Sequence, residues 1–195
     1  MAEVKILIEG YAKKIENGWL ANSTVALIKS NDKNIIVDPG CNRSKLIEAL
    51  SKNDLKTSDI DFVLLTHTHT DHALLAGIFE NAKVLNDTEV YDNDNQIEHN
   101  GKIPGTDLEI IPTPGHDQFH CSLIVNDNKL GKVVVAGDLF WWRDDEEQET
   151  NNKNLLNHED PYVKDKTLLK NSRKKVLVLA DYIIPGHGKM WKVEK

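Results

Sequence analysis

The chain has 195 residues, a formal charge of −7, and 39% apolar and 28% charged residues, a globular composition with room for one substantial core. Its acidic balance excludes a protein that coats nucleic acid with a general basic surface, and no apolar run approaches the roughly 18 residues that a membrane span needs. Two cysteines are too few for a disulfide framework.

We expect one α/β domain over residues 1–195. The opening "MAEVKILIEGYAKK" lacks a basic segment, an apolar stretch and a small-residue cleavage site, so the expectation is a cytoplasmic protein without a secretory signal. Nine β-rich runs follow in chain order: "VKILIEG", "TVALIKS", "KNIIVDPG", "DFVLLT", "AKVL", "DLEIIPT", "FHCSLIV", "KVVVAGD" and "YIIPGHG". Three stretches read as helices, "RSKLIEALSKN", "DHALLAGIF" and "KDKTLLKNSRKKVLVLA". Two sheets packed together with helices outside fit this order. Asn86 to Gly105 and Arg143 to Pro161 are polar and turn-rich and read as surface connections, with Asp144 to Glu147 a solvated acidic face. Cys41 and Cys121 are expected to be small buried apolar residues in a reducing compartment.

Ionisable residues gather where apolar runs stop. "LLTHTHTDHALLAG" puts His67, His69, Asp71 and His72 within six positions, and His116, Asp138 and His187 follow the runs "IIPTPGH", "VVVAGD" and "YIIPGH". Strand ends are where a rigid sheet can hold polar groups at one rim. His67 and His69, two apart, project to the same side of an extended segment, while Asp71 and His72 open the next helix, which splits the cluster into two ligand sets. Imidazole and carboxylate without thiolate favour zinc, with iron or manganese as weaker alternatives. A carboxylate such as Asp138 can bridge two cations roughly 3.5–4 Å apart, and such a pair lowers the pKa of a shared hydroxide. One histidine at a strand end is more often structural, but five of the eight histidines fall in such motifs.

"THTHTDH", "TPGH", "GD" and "PGHG", in this order, resemble the metallo-β-lactamase fold superfamily over essentially the whole chain. The resemblance implies a four-layer αββα sandwich and two metal ions. It places one metal on His67, His69 and His116 and the second on Asp71, His72 and His187, with Asp138 bridging. "NIIVDPG", with Asp38 and Gly40, resembles the family's early strand-turn motif and reads as a structural tight turn. His120 resembles a position that is often histidine in hydrolases of the superfamily; it either lines the site, orients a ligand or is a plain strand residue. His99 and His158 are expected in exposed loops.

The superfamily serves β-lactam, thioester, phosphodiester and redox chemistry, so the fold does not assign the substrate. The chain stops soon after "PGHG", so no glyoxalase II-type C-terminal helical domain is expected, nor a β-CASP or flavodoxin-like module. The tail "SRKKVLVLADYIIPGHG", with "VVVAGDLFWW", is similar to that of small single-domain metallo-β-lactamase-domain-containing proteins, a group for which a nuclease role in histone pre-mRNA processing has been proposed. This implies a metal-dependent hydrolase acting on a phosphodiester, with thioester or lactone hydrolysis, or non-catalytic metal binding, as alternatives. The expected chemistry is attack by a metal-bridging hydroxide on phosphorus or carbonyl carbon, with Asp71 positioning or deprotonating the water and His120 a candidate leaving-group acid. The expected partner is a small molecule or a short single-stranded nucleic acid, with no membrane; the oligomeric state is left open. Trp141 and Trp142 are read either as base-stacking groups or as packing, and Arg143 and Lys189 either as phosphate contacts or as surface charge.

Overall fold

The computed structural model describes residues 2–195. Its strands are β1 (Ala2–Ile8), β2 (Tyr11–Ile15), β3 (Gly18–Asn22), β4 (Val25–Ser30), β5 (Lys33–Val37), β6 (Phe62–Leu64), β7 (Lys83–Leu85), β8 (Glu89–Asp92), β9 (Asn95–Glu98), β10 (Glu109–Pro112), β11 (Cys121–Asp127), β12 (Gly131–Trp141), β13 (Tyr182–His187) and β14 (Trp191–Lys192). The α-helices are α1 (Arg43–Ser51), α2 (Thr70–Ala73), α3 (Asn152–Asn157) and α4 (Lys166–Leu179).

The N-terminal half orders its strands β1-β4-β5-β6-β7-β8-β9, and the C-terminal half β11-β12-β13-β14 with β10 against β11. A parallel pairing of β1 with β11 joins the halves. Strand alternation then dictates the layers, because successive side chains point to opposite faces and both faces are covered. Ala26, Ile28, Ile35 and Val37 turn inward to meet Leu123, Val125, Val133 and Val135 in the central core. Their neighbours Val25, Leu27 and Ile36 face outward onto Leu46 and Leu50 of α1. Ile124, Val134 and Ala136 do the same against Leu169, Val176 and Leu177 of α4. Three apolar interfaces therefore separate four layers, the αββα sandwich. Each fully buried aliphatic side chain contributes roughly 1.5–3 kcal/mol relative to exposure.

The helix starts are encoded locally. The Asn42 side chain caps α1 by accepting from the Lys45 amide, and Asp165 caps α4 by accepting from the amides of Thr167 and Leu168.

All nine strand runs form strands, but five further strands and one helix carried no core signal. The β2–β3 hairpin alternates polar residues and leaves Trp19 and Leu20 exposed. The segment Asn86 to Gly105, read as a connection, contains the β8–β9 hairpin, and the segment Arg143 to Pro161 contains α3. "DHALLAGIF" is also not one helix. It forms a single turn, α2, and then a 3-10 turn at Ala76–Ile78. The His72 carbonyl accepts from the Gly40 amide at 3.0 Å and the Leu75 amide donates to the Gly40 carbonyl at 3.1 Å, so hydrogen bonds to the turn after β5 interrupt the helical ladder. Among the described residues no helix is long and apolar enough to cross a membrane.

Candidate metal centre

The strands β5, β6 and β7 run parallel to one another, as do β12 and β13. The segments that follow β5 and β6 share a carboxyl-end rim where ligands of α/β sheets collect, and the end of β13 meets them there, bringing His187 to Asp71 and His72. Asp138 comes from within β12, at an irregularity. The β12–β13 register shifts on both sides of Gly137, a bulge that re-aims the side chain beside it. Gly137 adopts φ +49°, and a Cβ there would press on the Thr66 hydroxyl. Gly186, in "PGHG", passes so close that a Cβ would collide with Asp138 Oδ1.

The seven sequence-predicted ligands converge as two groups, His67, His69, His116 and Asp138 in one and Asp71, His72 and His187 in the other. His69 Nδ1 lies 3.0 Å from His67 Nε2 and 3.1 Å from His116 Nε2. On the other side His187 Nε2 lies 3.2 Å from Asp71 Oδ2. Asp138 stands between the groups. Its Oδ2 is 3.7 Å from His67 Nε2 and 3.4 Å from His116 Nε2, while its Oδ1 is 3.1 Å from His72 Nε2 and 3.6 Å from His187 Nε2.

The far nitrogens of four of these rings, all but that of His69, are engaged, which fixes their tautomer. His67 Nδ1 donates to Thr66 Oγ1, whose own proton goes to Asp38 Oδ2 at 2.7 Å. His72 Nδ1 donates to Asp38 Oδ2 at 2.8 Å, His116 Nδ1 to Asp160 Oδ2 at 2.7 Å, and His187 Nδ1 to the Tyr11 carbonyl at 3.1 Å. In all four the Nε2 lone pair is left pointing into the cluster, the arrangement that carboxylate- or carbonyl-backed metal histidines adopt. Asp38 is therefore more than a tight turn. It takes φ +50° after β5 and is buried, and it ties together Thr66, His67 and His72. Asp160, in the segment read as a surface connection, is likewise buried and holds His116.

The electrostatics fit a cation. His72 Nε2 and Asp138 Oδ1 are both buried and, although close, form no aligned hydrogen bond, an arrangement that a shared metal would satisfy. Burial opposes ionisation of Asp138, yet His72 and His187 hold its carboxyl well below the usual range. Burial also pushes His72 down, but Asp138 and Asp38 outweigh it and raise His72 well above an ordinary imidazole. His67 and His69 are both lowered by burial, the state that leaves an imidazole free to bind metal. Asp71 is also pushed up by burial, but its hydrogen bond and charge partners, His187 first, bring it lower overall.

The cluster opens on a cavity of about 400 Å³ whose wall includes Ala12, Trp19, Ala21, Trp141 and Tyr162, with His69, Asp71, Asp138 and His187 at its base. Several side chains stand elsewhere than expected. His120 is buried behind His67, its ring centroid 5.2 Å away and its Nδ1 2.9 Å from Thr113 Oγ1, and it does not line the cavity. Burial lowers its pKa to about 3, so it packs and supports His67 and is not placed to protonate a leaving group. Trp142 packs edge-on against Trp191 and at a tilt against His158 in the core, whereas Trp141 reaches the cavity wall beside Tyr162 and His187. His158 is half-buried, with Nε2 2.9 Å from the Trp141 carbonyl. Arg143 is neutralised by Glu146 at 2.6 Å, and Lys189 lies exposed with its backbone bonded to Gln148. Asp144 is exposed, as expected of a solvated acidic face, and its carboxylate and backbone also hold Ala12 of β2. Cys121 is buried, but Cys41 sits on the cavity wall, its Sγ donating to the Ala21 carbonyl at 3.2 Å and its thiol pushed up by burial.

A two-sheet sandwich that brings five imidazoles and two carboxylates together is able to bind metal there. Residues 18–103 match the family described as the metallo-beta-lactamase superfamily. The chain is 32% identical over 202 residues to the Xenopus laevis metallo-beta-lactamase domain-containing protein 1, covering 98% of this chain and 82% of that protein. A crystal structure from Thermotoga maritima that bears a metallo-beta-lactamase name superposes with a TM-score of 0.73 at 23% identity, over 98% of this chain and 99% of the other. AidC, a dizinc quorum-quenching lactonase, has a TM-score of 0.61 at 15% identity, over 87% of this chain and 74% of its own. This chain belongs to the metallo-beta-lactamase superfamily.

Proposed function

We propose that the chain is a dinuclear metal-dependent hydrolase whose substrate is a phosphodiester in a short single-stranded RNA. The observation that carries the hydrolase reading is the placement of Asp138 with one carboxylate oxygen toward each ligand group. His67, His69 and His116 would hold one ion and Asp71, His72 and His187 the second, with zinc favoured by the imidazole and carboxylate donor set. Such a pair supplies a water of lowered pKa and neutralises charge that develops on the attacked group. The chain's own groups do the rest. Asp71 is ionised and half-buried on the cavity wall, where its carboxylate can accept a proton from the attacking water and orient it. Asp38 and Asp160 keep His72 and His116 in the tautomer that presents Nε2. Trp141 and Tyr162, ring centroids 5.9 Å apart and tilted by 39°, give the wall aromatic faces against which a base can stack. Two free cysteines suit a reducing compartment.

A second reading has its own support. The cavity wall carries no lysine or arginine, and an uncharged acyl group would suit it, as in hydrolysis of a lactone or thioester.

The test is cleavage of a short single-stranded RNA by zinc-reconstituted protein beside Asp71→Asn, with a lactone and a thioester as parallel substrates. RNA cleavage that the variant loses supports the phosphodiesterase. Turnover of only the acyl substrates moves the function to the second reading, and full turnover by Asp71→Asn overturns the site assignment.

A further inference from the structure

A second depression adjoins the metal cavity and shares Trp19, Trp141 and Tyr162 with it, so the two are continuous. It encloses about 840 Å³ between β2, the segment before α4 and α4 itself. Its charge is unlike that of the molecule as a whole. Lys14, Lys166 and Lys170 line it, are exposed, and form no ion pair among the described residues. Its acidic groups are largely occupied, since Glu146 pairs with Arg143 and Asp160 is bonded to His116, leaving Glu159.

The floor contains Arg173, buried at 1% exposure. Its Nε donates to the Leu139 carbonyl and its Nη1 to the His158 carbonyl at 2.6 Å, while Nη2 is buried without a partner. A buried guanidinium with an open donor and no paired carboxylate is costly to maintain. Burial lowers it only to about 10, so it is charged at neutral pH. In a chain of net charge −7, four unpaired cations around one groove beside the hydrolytic centre call for an anion.

We propose that this groove is the anion subsite of the enzyme, holding a phosphate that flanks the bond to be cut, with the exposed Lys166 and Lys170 as its contacts and the buried Arg173 supplying positive charge from beneath. The subsite rests on the hydrolase reading for its neighbour and narrows that reading's substrate to one bearing an additional phosphate. Direct binding separates the two ideas because it needs no turnover. Tryptophan fluorescence is titrated in zinc-reconstituted wild type and in the Lys166→Ala, Lys170→Ala double variant. The probes are a cleavage-resistant phosphorothioate RNA of about four nucleotides, adenosine 5′-monophosphate, and adenosine, each over a salt series.

The expected result is about tenfold weaker RNA binding in the double variant, a salt-dependence slope smaller by about 1.4, and unchanged adenosine binding. A parallel loss for the monophosphate assigns the groove to a single phosphate such as a small substrate carries, and a loss confined to RNA assigns it to a nucleotide chain. Unchanged affinity and slope for both phosphate probes overturn the subsite. Arg173→Met, checked for folding by circular dichroism, is expected to weaken the same probes; if that variant unfolds, the exposed lysine pair decides. Retained subsite binding without RNA hydrolysis would sink the nuclease reading alone.

Discussion

The floor of the cavity and its rim obey different rules. On the floor each candidate ligand ring whose far nitrogen is engaged meets Asp38, Asp160, Thr66 or the Tyr11 carbonyl. On the rim Trp19 is 40% and Tyr162 44% exposed, and the neighbouring lysines are unpaired. Over-determination holds the floor to one geometry, as metal chemistry requires. The rim is free to differ between proteins that share the floor, which is why a shared fold leaves the substrate open.

The largest effect is expected where both ligand groups meet. Asp138→Ala should lose metal from both groups, measured by elemental analysis, and with it the melting-temperature increment that zinc addition gives wild type. Retention of full metal content would break the view that one carboxylate joins the groups. An intermediate effect is expected one bond farther out. Asp160→Asn leaves every ligand in place but replaces the acceptor of His116 Nδ1, and should weaken metal affinity about 10–100-fold in competition with a chelator. An unchanged affinity would mean that the floor does not depend on its outer bonds. The smallest effect belongs to the rim. Trp19→Ala should leave metal content and melting temperature unchanged and raise KM a few-fold, on the order of 1 kcal/mol of lost contact. Metal loss in that variant would erase the distinction between floor and rim.

Much of the floor was legible in the sequence because its chemistry admits few residue types. Imidazoles and carboxylates crowded after apolar runs have few other reasons to recur, and i, i+2 spacing after β6 already places His67 and His69 on one side. The outer partners were not legible. Asp38 is 34 residues from His72, and Asp160 is 44 from His116 in a segment with no periodic pattern. Asp38 lay in a noticed motif, but a turn was sufficient to explain it. For His120 the sequence left three roles open, and the structure selects among them. A histidine four residues after a ligand reads as part of the site, but alternation along the chain leading into β11 sends it behind His67.

By itself the sequence determined an α/β domain of two packed sheets with helices outside and the residue types of the candidate metal centre, since alternation of apolar residues and strand-end chemistry are local patterns that survive without contacts. Only the tertiary structure decided what those patterns meet: Asp38 and Asp160 brought behind His72 and His116, a helix cut to one turn by hydrogen bonds to Gly40, and Arg173 buried under a groove of lysines. These outcomes depend on groups far apart in the chain being brought within hydrogen-bond reach, and that proximity is a property of packing, with no local signature along the chain.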